Sequence, residues 1–261
     1  METGFTEPAV TPRLLVQQEG LLICLADGQP APPWAQEHYR DFNEFLVSES
    51  RPHPCTFGVV AEKRGKLRYS YVTREEIGEP LELARTLLAF QALAPSIGGR
   101  PALIVFIDIP PELDAAGQEA TFWRLMQSLH DYDQAPWPET IPTEVEHPLW
   151  QFCFAGEPWF INGHGTAYRQ RLSRGSKRGM FLVMQTHANL DGIVGHSPGA
   201  EAIRRDIRQA VRRYDLVDVS PDFTIYGDPA GREWKQYWLT DDNGPRPGTC
   251  PLKINANHQA G

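Results

Sequence analysis

The side chains able to ligate iron or move protons near neutral pH are the eight histidines and four cysteines of the chain. The spacing around His147 and His164 is the most suggestive. Leu149 to Phe154 alternates large and smaller residues, and Trp159 to Ile161 is aromatic and branched, as in strands. Ala155-Gly156-Glu157-Pro158 between them signals a turn. A two-residue turn at Ala155-Gly156 pairs Phe154 with Glu157, and counting outward sets His147 opposite His164. Directly paired residues have Cβ atoms about 4.5–5.5 Å apart, so two imidazoles would meet at the mouth of a hairpin. A one-residue bulge would turn one ring to the other face, and two surface histidines beside a loop are the plainer alternative. Asn162-Gly-His-Gly165 reads as a flexible loop leading into a basic run. Arg169, Arg171, Arg174, Lys177 and Arg178 fall close together in a chain of net charge −8. Such a run suits an anionic group, whether phosphate, carboxylate or porphyrin propionate, or is simply a solvated loop.

Three further constellations carry chemistry. His130 lies at the edge of an amphipathic helix expected over 119–131, as a third ligand or a packed side chain. Cys55, flanked by prolines, is a thiolate or nucleophile if activated and an inert buried thiol if not. His187 and Asp191, with His147 or His164, have the composition of a two-histidine, one-carboxylate iron site, though the spacing is unspecific. There is no GxGxxG, GxxxxGK[ST], HExxH or CxxC, so nucleotide-fold and zincin readings lose their usual support.

The elements that must position these residues follow from periodicity. At 261 residues with 41% hydrophobic and 22% charged side chains, the chain is an ordinary globular protein. Its acidic balance argues against general nucleic-acid binding, and no apolar run is long enough for a membrane span. Leu21 to Ala26 is too short for a signal peptide, and the scattered cysteines read as reduced thiols of a cytoplasmic protein. Helices are expected over 34–47, 81–94, 119–131 and 199–214, and two-sided apolar strands over 102–108 and 179–185. Residues 56–61 and 67–73, around Lys63-Arg-Gly-Lys66, read as a hairpin. The helix over 199–214 turns Arg204, Arg205, Arg208, Arg212 and Arg213 outward, as a solvated face or a dock for a redox partner. Residues 1–31 are expected to be irregular, 32–240 a single α+β domain with a mixed or antiparallel central sheet flanked by helices, and 241–261 an irregular tail.

Five stretches in order resemble the YqcI/YcgG family: His53-Pro-Cys-Thr-Phe-Gly58; Phe122 to His130 with Asp133 and Trp137-Pro138; Leu149 to Gly156; Ala167-Tyr168 with Arg171-Leu-Ser-Arg174; and Glu233 to Tyr237. Gly165-Thr166 departs from the pattern, which expects a proline before Ala167. The resemblance implies a haem b protein, and for members with a role, a monooxygenase that hydroxylates or further oxidises the nitrogen of an amino acid, amine or guanidine. O₂ would supply the oxygen, and an external reductase the electrons, since no flavin or nicotinamide fingerprint is present. In that frame His164 is the axial ligand of first choice, with His147, Cys55 and His130 as alternatives. His147 doubles as a catalytic distal acid. Arg169, Arg171 and Arg174 would hold propionates. Tyr168 and Trp150, with Phe152, Phe154, Trp159 and Phe160, would wall the porphyrin. A cationic substrate would use Asp108, Asp131, Asp133 or Glu146. A haem carrier or sensor without turnover, and a non-haem iron or zinc enzyme using His147 and His164, are the competing readings.

Overall fold

The computed structural model describes residues 12–190, 197–244, 246 and 248–255. Seven strands form one mixed sheet: β1 (Leu15–Gln18), β2 (Leu21–Cys24), β3 (Arg68–Val72), β4 (Leu103–Ile107), β5 (Cys153–Phe154), β6 (Glu157–His164) and β7 (Met180–Thr186). Their order is β2-β1-β3-β4-β7-β6-β5. Only β3 and β4 run parallel, joined across a helix, while every other neighbouring pair is antiparallel. This is the expected α+β fold.

Six helices cover the sheet: α1 (Pro33–Val47), α2 (Thr56–Lys63), α3 (Leu81–Ile97), α4 (Ala115–Tyr132), α5 (Pro198–Tyr214) and α6 (Trp234–Tyr237). Strand alternation divides the interior in two, because successive side chains point to opposite faces. Leu103, Val105, Ile107, Trp159, Ile161, Met180, Leu182 and Met184 meet the apolar stripes of α3 and α4. Ile104, Phe106 and Phe181 meet Phe42 and Leu46 of α1 on the other face. β4 is buried at every position, which is why it reads as continuously apolar.

Three expectations need correction. Within 12–31 the chain is not irregular, because β1 and β2 form a hairpin at the sheet edge. Residues 56–63 are a helix, not a strand: Cys55 caps it, its Sγ accepting from Gly58 N at 3.3 Å. Tertiary packing here overrides the β-branched pair Val59-Val60. Asn162 to His164 is the end of strand β6 rather than a loop. The glycines fit a close approach, since a Cβ on Gly163 would overlap the Trp238 ring and one on Gly165 the Gln118 amide. Among the described residues no helix is long and apolar enough to cross a membrane.

Candidate functional site

The face of the sheet turned toward α1 is not filled. The side chains of β6 that point to it are Phe160, Asn162 and His164, standing beside Gln185, Val183 and Phe181 of β7. With Ile104 and Ala102 they floor a half-open cavity of about 260 Å³. Phe42, Phe45 and Leu46 of α1, the segment His53 to Gly58, Ile207 and Val211 of α5, and Phe223 close over it. The walls are apolar and aromatic with few polar groups, the usual build of a small-molecule site.

Those polar groups gather at one end. His164 stacks on Phe181 with ring centroids 4.2 Å apart, and its Nδ1 is buried without a hydrogen-bond partner. Burial, with Arg174 and His53 beside it, holds its pKa well below the ordinary histidine range. His53 sits edge-on to Phe45 and Tyr214, its Nδ1 accepting from Cys55 N at 3.1 Å. Its Nε2 is also buried, with no partner in good hydrogen-bond geometry, and burial pushes its pKa down to about 4 although the nearby Ser173 backbone favours the charged form. Both rings are therefore neutral, the form that ligates a metal. Asn162 Oδ1, one rung along, is a third buried polar atom without a partner.

Arg174 completes this end. It is buried, and among the described residues its guanidinium makes two long donations, from Nη1 to Gly163 O at 3.4 Å and from Nη2 to Gln236 O at 3.3 Å. Among the described residues it has no carboxylate within ion-pair distance, and burial lowers its pKa to about 10. Asp215 attracts it from beyond ion-pair distance, and a buried cation with no counter-charge in contact is costly unless an anion meets it. The turn that carries it, Leu172–Arg174, is tied to the end of α5 by Asp215, which accepts from Ser173 N at 2.6 Å and from Ser173 Oγ at 2.9 Å.

Cys55 lines the same cavity. The residue keeps accessible surface although protein surrounds its thiol. Burial raises its pKa, so it is a thiol at neutral pH.

The other expected site residues lie elsewhere. The turn register is as expected, with Phe154 opposite Glu157, but β5 ends after two residues and β6 pairs onward with β7. His164 therefore faces Phe181, not His147. His147 is half-buried in a local turn, where its Nδ1 accepts from Leu149 N at 3.1 Å, and it does not line the cavity. His130 is buried beyond the opposite core and accepts from Asn255 N at 3.1 Å through Nε2. Trp150, Phe152, Phe154 and Trp159 belong to that core too, so of the expected aromatic wall only Phe160 faces the cavity. Tyr168 is buried there as well and donates to Leu239 O at 2.7 Å. Arg169 is exposed, donating to Thr166 O from its side chain and to Asp241 from its backbone. Arg171 reaches the cavity wall, yet its guanidinium is committed to Thr240 O, Asp242 O and Asn243 Oδ1.

None of the carboxylates proposed for a cationic substrate reaches the cavity. Asp108 pairs with Arg74 and Glu146 with Arg232, while Asp131 and Asp133 accept from neighbouring amides. Among the described residues no three histidine, cysteine or carboxylate side chains converge to hold an ion, so the site built from His147, His164 and a carboxylate has no counterpart. Asp191 lies outside the described residues.

The family comparison matches residues 42–253 to the YqcI/YcgG family. The chain belongs to that family. The match runs from the last six residues of α1 to the C-terminal segment and includes every described residue that lines the cavity. The uncharacterised protein YcgG of Bacillus subtilis (strain 168) is 30% identical over 87% of this chain and 90% of its own length. YqcI of the same organism, also uncharacterised, is 29% identical over 85% and 88%. A protein of Streptomyces lavendulae that carries the provisional name N(omega)-hydroxy-L-arginine synthase DcsA is 28% identical over 84% of each chain. No solved structure matches the chain.

His53 and Asn162 are the cavity residues that sequence reading left without a role. His53 lay in view between Pro52 and Pro54, but with the following segment taken for a strand nothing brought it to His164.

Proposed function

We propose that this chain is a haem-dependent N-oxygenase, taking O₂ and external electrons to hydroxylate the nitrogen of an amino acid, amine or guanidine. The observation that carries the proposal is the pair of buried, neutral imidazoles at one end of an aromatic cavity, His164 with its Nδ1 unpartnered, beside a buried guanidinium that no described carboxylate contacts. The donor types suit haem: one imidazole could ligate its iron, aromatic walls suit a porphyrin and a guanidinium suits a propionate, and a macrocycle of that size would extend beyond the cavity of about 260 Å³. It fits a non-haem ion less well, since no third ligand converges among the described residues. The relative whose name specifies N-hydroxylation supports the reaction class.

When bound, haem would supply the oxygen-activating chemistry. The chain's own residues do the rest. His164 is the ligand of first choice, oriented by its stack on Phe181. His53 is placed to donate a hydrogen bond, because its Nδ1 accepts from Cys55 N and the proton of the neutral ring therefore sits on Nε2. Cys55 is the weaker alternative, because its thiol must first lose a proton that burial retains. Arg174 anchors the anionic edge of the cofactor. Asn162 Oδ1 accepts an N–H from the substrate.

The test is an absorption spectrum of purified protein, with and without added haemin, for wild type and for His164→Ala, His53→Ala and Cys55→Ala. A stoichiometric Soret band, lost or shifted in His164→Ala and retained in Cys55→Ala, is the expected result. Substrate-dependent oxygen consumption then separates an oxygenase from a haem carrier. Absence of haem uptake by the wild type overturns the proposal.

A further inference from the structure

The end of the cavity away from His164 holds one charged group. Along β6 the floor runs from His164 through Asn162 to Phe160, a rise of about 13 Å over four residues. The Phe160 rung is shared with Gln185 of β7, and beside it, just before β4, stands Arg100. Its guanidinium lies over the Phe57 ring at 4.9 Å, and Nη1 makes a long donation to Asn189 O at 3.4 Å. It is half-buried, so a ligand that meets it sheds only part of its hydration. Gln185 is held nearby by its own donation to Pro101 O at 3.1 Å.

The cavity's charge balance is one-sided. Its described lining contains Arg100, Arg171 and Arg174, and no aspartate or glutamate. Arg171 is satisfied by carbonyls and Arg174 sits at the histidine end, so among the described residues Arg100 is the cation left to meet a ligand at the other end. A planar guanidinium braced on an aromatic face is suited to bidentate capture of a carboxylate.

We propose that Arg100 is a specificity residue that anchors a substrate carboxylate, and that the cavity admits molecules whose opposite end is neutral. This rests on the cavity being the substrate site proposed above. The carboxylate stays at the rim and the nitrogen-bearing end points inward, past Asn162 toward His164. That inner end offers a substrate no carboxylate among the described residues. An amine that gives up its proton on entry, or an uncharged nitrogen, is accepted there. A guanidinium keeps its charge at any ordinary pH and is disfavoured. The preferred class is thus an acid-bearing amino compound with a neutral or deprotonatable distal nitrogen, rather than arginine itself.

The test is isothermal titration calorimetry on the purified chain, both as isolated and after haemin loading, with four probes. L-Norleucine and its amide differ only in the carboxylate, and L-citrulline and L-arginine only in the distal charge. Wild type is expected to bind norleucine on the order of tenfold more tightly than the amide, the value of one charge-assisted contact. Citrulline is expected to bind more tightly than arginine. Arg100→Gln should erase the acid-over-amide preference, while Arg100→Lys, which keeps the charge, should retain part of it. Equal binding of acid and amide by the wild type, no binding of any probe, tighter binding of arginine than citrulline, or an unchanged preference in Arg100→Gln overturns the proposal. Should thermal melting show Arg100→Gln unfolded, Arg100→Lys and the wild-type pairs decide. A missing Soret band defeats the haem reading while leaving the acid-over-amide preference measurable, so the two failures are distinct.

Discussion

Gly163 shows how one residue sets the position of the candidate ligand. The Trp238 ring lies flat against its backbone on one face of β6, and His164 projects from the next residue into the cavity on the other. A methyl group at 163 meets the Trp238 ring and the Tyr237 carbonyl, neither of which is the free end of a flexible side chain. Gly163→Ala is therefore expected to cost about 1–3 kcal/mol, the usual penalty for overpacking. Urea denaturation reads that cost directly. A variant as stable as wild type would show that α6 is not pinned against β6. The sequence displays Asn162-Gly-His-Gly165 openly, but a glycine chosen for flexibility and one chosen for close approach are written alike. Only the distant Trp238 distinguishes them, and nothing local announces it. Arg171 and Arg174 carry the same lesson: three residues apart in one basic run, one is spent on carbonyls and the other left at the cavity.

At the scale of elements, α2 decides whether the site is complete. It brings Phe57 and Gly58 to the cavity, and its cap fixes Cys55 and, through Cys55 N, the His53 ring. The thiol is an unusual cap, since sulfur is a weak acceptor and Ser, Thr, Asp or Asn is commoner. Cys55→Ser keeps an acceptor at the same place and is expected to match wild type within about 0.5 kcal/mol, whereas Cys55→Ala loses roughly 0.5–1 kcal/mol. Denaturant midpoints for the two variants check this, and a serine variant as weakened as the alanine one would argue that the sulfur packs rather than caps. Periodicity made α1, α3, α4, β4 and β7 legible because each buries one stripe or both faces. It failed at α2, which is short, half-exposed and has only Ala61 fully buried, so no stripe marks it. The β5–β6 turn was readable, but the length of β5 was not. Phe152 N is taken by Tyr237 OH at 3.0 Å and Leu149 O by Tyr226 OH at 2.7 Å, partners more than seventy residues away.

The two faces of the sheet give the whole molecule opposing responses to pH. On the cavity face His38 is buried between Phe106 and Phe181, and burial takes its pKa from 6.5 to about 3. The unfolded chain binds its proton first, so stability is full above about pH 6.5 and falls as pH drops toward 3. The slope is about 1.4 kcal/mol per pH unit for one such ring. On the other face Glu233 is buried beside Gln236, which donates to it at 3.2 Å, and burial raises its pKa from 4.5 to about 7. Here the folded chain holds the proton longer, so stability is full below about pH 4.5 and is lost as pH rises through 7. The loss is on the order of 3 kcal/mol at most. His38→Gln should make the acid flank less steep by one ring's share, since His53 and His164 still contribute to it, without touching the alkaline flank, and Glu233→Gln should be more stable than wild type at pH 8 while differing little at pH 4.5. Chemical denaturation of the three proteins from pH 4 to 8 resolves the two flanks. Parallel curves for wild type and His38→Gln would mean that the ring is hydrated in solution, and a Glu233→Gln curve that tracks wild type through pH 8 would mean that water reaches the carboxyl.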